Sequence, residues 1–193
     1  MAGTINPQGL QSNSWLFLRR HFMDRVMIFI DGSNLYHSLK DYYGRTDIDI
    51  EKLSLNLCGE RKLIRTLYYI ATVPREKDLQ EAEKQQKFIE KIRKLPYIQV
   101  RLGRLEKRGN AWVEKGVDIM LASDMLMHAF LDNYDVATLV SSDGDFSYVV
   151  EIICDRGKNV ENVYVPGHRA YHLNVCDRHI DISDLIDNCW LDK

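Results

Sequence analysis

The chain has 193 residues, 45% of them hydrophobic and 28% charged, enough to close one substantial core. No run approaches the roughly 18 apolar residues that a membrane span requires, and "WLFL" at Trp15 to Leu18 is far too short. The net charge of −2 hides an uneven distribution: Lys84 to Lys115 holds ten Lys/Arg against three Asp/Glu, a local +7, which leaves −9 on the rest. A basic stretch on an acidic body suits a polyanion binder with an acidic, cation-holding centre, although Lys84, Lys87 and Lys91 read equally well as the solvated face of a helix.

Residues 1–25, polar and then briefly apolar, are expected to form an N-terminal extension, and 26–193 the domain proper. The extension lacks the basic, apolar, small-residue order of a secretory signal, so a cytoplasmic location is expected. From Val26 onward apolar runs, polar turns and helix-period stretches alternate, the pattern of βα units. Strands are expected at Val26 to Ile30, Thr66 to Thr72, Ile98 to Gly103, Val136 to Val140 and Asn162 to Val165, five in one sheet. Helices are expected over Glu76 to Leu95, between Pro74 and Pro96, over Val117 to Leu131, and over Phe146 to Arg156 with Gly157 closing it. In "RLGRLEKRGNAWVEKGVD", "RGN" reads as a turn and Trp112 as either an exposed stacking surface or the anchor of a returning strand. His179 to Trp190 reads as a short extended piece and a terminal helix. Cys58, Cys154, Cys176 and Cys189 are scattered without metal-ligand spacing and are expected to be buried thiols.

Strands alternating with helices imply an α/β sheet covered on both faces, with functional groups outside the carboxyl ends of its strands. Asp31 directly follows the first strand. Asp143 and Asp145 lie in "VSSDGDF" beyond the strand ending at Val140, and Asp118 begins a helix. Each has a blander reading: Asp31 and Asp143 as turn residues, Asp118 as a favourable charge at a helix start, Asp145 as an N-cap. Together, four carboxylates in one crevice would repel one another unless a cation were present, and Mg²⁺ or Mn²⁺ suits oxygen ligands. Asp124 lies six residues beyond Asp118, about 240° around the helix axis, so it is expected to be supporting or structural.

"FIDGSNLYHSL" from Phe29, "KGVDIMLASDML" from Lys115 and "TLVSSDGDFSYVV" from Thr138 together resemble the signatures of the NYN domain, in its LabA-like branch, within the PIN-like nuclease superfamily. The resemblance spans Val26 to about Val165. It implies a PIN-like three-layer α/β/α fold with a mainly parallel central sheet, and metal-dependent endoribonuclease chemistry with Asp31, Asp118, Asp143 and Asp145 as the acidic positions. It also makes Asn34 a candidate for holding a water or a phosphate oxygen.

On this reading RNA is the partner, and cleavage leaves 5′-phosphate and 3′-hydroxyl ends without a side-chain nucleophile. Ser33 and Ser142 are hydrogen-bond donors near the site, since neither lies in G-x-S-x-G. His37, with no second ligand pattern, is expected to be structural. Arg101, Arg104, Lys107, Arg108 and Lys115 are expected to contact phosphates and give salt-sensitive binding. The rival is a non-catalytic RNA-binding or scaffold protein that keeps the cleft. A phosphatase of the HAD type would want an acid at position 33, where Ser33 stands. Homodimerisation is left open.

Overall fold

A computed structural model describes residues 24–169 and 171–191; the expected apolar segment at 15–18 and nearly all of the expected extension lie outside the described residues. Strand alternation builds two cores on opposite faces of one sheet. In the central strand β1 (Arg25–Asp31), Val26, Ile28 and Ile30 join one buried cluster, and Met27 and Phe29 join the other. The sheet has seven strands in the order β4-β3-β2-β1-β5-β6-β7. The other six are β2 (Lys62–Thr72), β3 (Ile98–Arg108), β4 (Ala111–Lys115), β5 (Val136–Val140), β6 (Asn159–Tyr164) and β7 (Arg178–Asp181). All pairings are parallel except β3 with β4.

Five helices cover the faces. On one side lie α1 (Gly32–Tyr43), α2 (Ile50–Cys58) and α3 (Leu79–Ile92), which contribute Leu35, Leu39, Leu53 and Ile92 to the first cluster. On the other lie α4 (Val117–Phe130) and α5 (Ser147–Asp155), which contribute Leu121, Met125, Val150 and Ile153 to the second. The fold is thus the three-layer α/β/α arrangement with a mainly parallel sheet. Among the described residues no helix is long and apolar enough to cross a membrane.

The departures from the expected elements have local causes. Helix α3 starts at Leu79 rather than Glu76 because Lys77 and Asp78 fold back on the Pro74 carbonyl, and the Asp78 carboxylate then accepts from the Glu81 N–H as the N-cap. Beyond the five, the sheet gains edge strands β4, at the expected returning strand around Trp112, and β7, at the expected extended piece around His179. The expected terminal helix is instead two short 3₁₀ turns, Ile182–Asp184 and Ile186–Asn188, separated by Leu185 at φ −138° and ψ −13°. Three residues, Ile182, Ile186 and Cys189, are buried there, so the segment seals the first core without a full α-helix. Cys58, Cys176 and Cys189 are buried free thiols, whereas Cys154 is only partly covered.

Strand β1 is flanked by β2 on one side and β5 on the other, so successive crossovers run in opposite directions from it. The crevice at the carboxyl ends of β1 and β5 is the topological switch point, where sheets of this kind collect ligands. Asp31 ends β1, and Asp143 lies three residues past β5.

Candidate active site

Asp31 occupies the junction of strand and helix. Its backbone is still extended, and its Oδ1 accepts from the Asn34 N–H, so it caps α1 as well as facing the crevice. The next residue must be glycine for reasons of space: a Cβ on Gly32 would lie 2.6 Å from the Tyr68 ring and from the Tyr69 carbonyl oxygen. That close approach pulls the helix start down onto β2 and leaves Asp31 only 4% exposed. The turn reading and the site reading are therefore both true of one residue.

The loop after β5 is tied to Asp31 through Ser141. The Ser141 hydroxyl donates to Asp31 Oδ2 at 3.3 Å and accepts from the Asp143 N–H at 3.1 Å. Asp143 in turn accepts from the Asp145 N–H at 2.9 Å and caps the 3₁₀ turn Gly144–Phe146. The N-cap role considered for Asp145 thus belongs to Asp143, and Asp145 is exposed. Asn34 ties the same loop from the other side, its Oδ1 accepting from the Ser142 N–H at 3.0 Å.

Asp118 reaches the crevice because β3 and β4 form a hairpin that returns directly into α4. Gly116, at φ 85°, makes the turn between them, a conformation that suits glycine. The hairpin also delivers an acid that the sequence reading passed over. Glu114 accepts from the Ser33 hydroxyl at 2.7 Å and lines the cleft with Asp31, Asp118, Asp41, His37 and His168. The cleft has a volume of about 350 Å³. His37, expected to be structural, is exposed and faces this cleft.

The acids perturb one another. Burial, with the charges of Asp118 and Glu114 adding to it, pushes the Asp31 carboxyl up to about 6 against the opposing hydrogen bonds from Asn34 and Ser141. Asp118 is raised by partial burial and then by Asp143 and Asp145, which places those two carboxylates within its electrostatic reach. Among the described residues no Lys or Arg forms an ion pair with any of these five acids.

The other expected binding residues sit elsewhere. Arg101 is bound to Asp124 at 3.0 Å, and Tyr69 donates its hydroxyl to the same carboxylate at 2.9 Å, so this trio braces α4 against β2 and β3. Asp124 is structural, as its position on the helix implies. Arg104 is bound to Glu106, and Arg108 and Lys115 lie along the hairpin outside the acidic cleft. The Ser142 hydroxyl is buried without a partner among the described residues and lines a small void with Leu35 and Val163. Ser141 and Glu114 are the residues that sequence reasoning missed. Ser141 stood one place before the serine chosen. Glu114 had a signal in the strand alternation, which puts it on the face opposite Val113.

An acid-lined cleft at the carboxyl ends of a mainly parallel α/β/α sheet is consistent with the PIN-like fold. The chain belongs to the NYN domain family, whose profile matches residues 25–185. It is 28% identical over 171 residues to the "Low amplitude and bright protein LabA" of Synechococcus elongatus, across 83% of this chain and 85% of that one. Its fold also matches a crystal structure of a protein of unknown function from Vibrio parahaemolyticus, with a TM-score of 0.72 and 23% identity over 88% of this chain and 98% of the other. These likenesses support a nuclease or RNA-related role.

Proposed function

We propose that the protein is a metal-dependent endoribonuclease whose centre is formed by Asp31, Asp118, Asp143 and Asp145. The observation that carries this reading is the absence of neutralising Lys or Arg ion pairs to these acids among the described residues, together with an Asp31 carboxyl held up at about 6. Crowded, partly desolvated carboxylates are unfavourable unless a cation offsets them. Among the described residues no three His, Cys, Asp or Glu side chains are already gathered at metal-ligand distances. The donor set nonetheless fits Mg²⁺ or Mn²⁺, since the four acids offer hard oxygens without a thiolate. The bound ion would supply charge neutralisation at the phosphoryl oxygens and a water made acidic enough to attack.

The chain's own residues set the geometry around it. Ser141 couples the orientation of Asp31 to that of Asp143. Asn34 fixes the loop that carries Asp143, which supports a positioning role through Ser142 rather than direct contact with substrate. Ser33 holds Glu114 at the cleft edge. Arg104, Arg108 and Lys115 extend on the hairpin beside the cleft and are proposed to meet the RNA backbone, while Arg101 is committed to Asp124.

The test is cleavage of an end-labelled mixed-sequence RNA in Mn²⁺ or Mg²⁺ and in chelator, with the Asp143→Asn protein alongside. Cutting that requires the ion and falls about a thousandfold or more in the variant is expected, equivalent to about 4 kcal/mol of transition-state stabilisation. Salt-sensitive RNA binding with no cutting under any metal would assign the protein to the non-catalytic binders instead.

A further inference from the structure

A second and larger hollow adjoins the acidic cleft. It has a volume of about 580 Å³, in the range of small-ligand sites, and lies between α1 and α3 over the carboxyl end of β2. Three residues, Ser33, His37 and Glu114, line both hollows, so the two share a wall. Tyr36, Tyr68 and Phe88 stand in a lining that is otherwise mostly aliphatic and polar. Tyr36 is 40% exposed and its ring meets the His37 ring edge-on, whereas Tyr68 and Phe88 pack edge to face at 5.6 Å. Lys77 and Lys84 stand on the α3 side with Glu81 near them, and both lysines are exposed.

The geometry points to a nucleobase subsite: one unpaired base of the RNA enters the groove and stacks on Tyr36, and Lys77 and Lys84 hold its flanking phosphates. This inference rests on the endoribonuclease reading and deepens it, because it makes an unpaired base next to the cut a requirement of the substrate. An aromatic face offered beside lysines is the arrangement by which proteins hold single strands, since every base has a face to stack. A peptide side chain would use the apolar wall equally well but would have no use for the lysines or for the neighbouring acidic cleft proposed to cut RNA. A duplex keeps its bases stacked inside and cannot fill the groove without unpairing.

The test is RNA binding in chelator, where nothing is cut, using a single strand that carries 2-aminopurine, with the matching duplex as competitor. Quenching of the 2-aminopurine is expected on binding, with about tenfold or more loss of affinity in Tyr36→Ala and recovery in Tyr36→Phe. Lys84→Ala should weaken binding and reduce its salt dependence. Equal affinity of Tyr36→Ala and the native protein, or competition by duplex as effective as by single strand, would overturn the subsite and leave the groove to another occupant. Tyr36-dependent binding by a protein that cuts nothing in Mn²⁺ would sink the nuclease reading and keep the groove as a base site. Normal cutting and binding by Tyr36→Ala would do the reverse.

Discussion

The two ends of the sheet treat their carboxylates in opposite ways. Toward the amino ends of the strands two acids have a cation: Asp135 accepts from the Arg25 guanidinium at 3.0 and 2.8 Å, and Glu161 holds Arg61 through both oxygens at 2.9 and 3.0 Å. The Arg25 hydrogen bond holds Asp135 down at about 2. At the carboxyl ends, Asp31 is driven up to about 6 by burial and by its acidic neighbours. The same residue type is thus made more acidic where it supports the fold and less acidic where it faces the crevice. A group that would be easier to fold as a neutral residue, and is an acid all the same, is a candidate for function rather than support.

That contrast can be broken first at the structural end. The Arg61 and Glu161 side chains are only 9% and 6% exposed, so Arg61→Ala strands a buried charge and is expected to cost about 3–5 kcal/mol in a urea titration. Loss of less than about 1 kcal/mol would show that water reaches Glu161 and that the two ends of the sheet treat their acids alike.

The reverse sign is expected at the functional end. In chelator near neutral pH, Asp31→Asn should stabilise the protein by up to about 3 kcal/mol, since it removes a charge whose folded pKa lies about two units above its ordinary value. Asparagine also caps helices well, so α1 keeps its start. The pH dependence follows the same sign. Asp31 gains a proton on folding, so its contribution to stability is full below about pH 4 and is lost as pH rises through about 6. Metal-free native protein should therefore gain stability between pH 6 and 4 relative to Asp31→Asn, measured by thermal melts of both. Asp135 runs the other way, with its contribution lost only as pH falls through about 2.

Smaller effects sharpen the picture. Asp124→Asn leaves Arg101 and the Tyr69 hydroxyl with a weaker acceptor and should cost about 1–2 kcal/mol of stability, with metal affinity unchanged. A drop in metal affinity would make Asp124 part of the centre. Replacing Arg104, Arg108 and Lys115 together by alanine should lower the slope of log affinity against log salt by about 2 for single-stranded RNA, as expected for three phosphate contacts. An unchanged slope would remove the hairpin from the binding surface.

Much of this was legible in the sequence because the informative signals are local. Val136–Val140 is a strand with the expected bounds, since five consecutive apolar residues ended by Ser-Ser-Asp-Gly leave little else. The ordered acids after apolar runs pointed to the carboxyl ends of strands, and the structure puts them there. Edge strands β4 and β7 were less legible, because strands covered on fewer sides carry weaker patterns. The pairing of Arg101 with Asp124 could not be read at all. It joins residues 23 apart through strand β3 and helix α4, and only the packing of those elements shows that this arginine is taken. For the same reason Glu114 counted in the sequence as one charge within a basic stretch, although the hairpin turns it into the cleft.

The most direct measurement is a calorimetric titration of Mn²⁺ into the native protein and Asp31→Asn at neutral pH. Saturable binding to the native protein that is lost in the variant is the predicted result, because Asp31 is proposed as a ligand and stands among carboxylates that a bound cation would offset. No binding to a folded native protein, or equal binding to both, would contradict it.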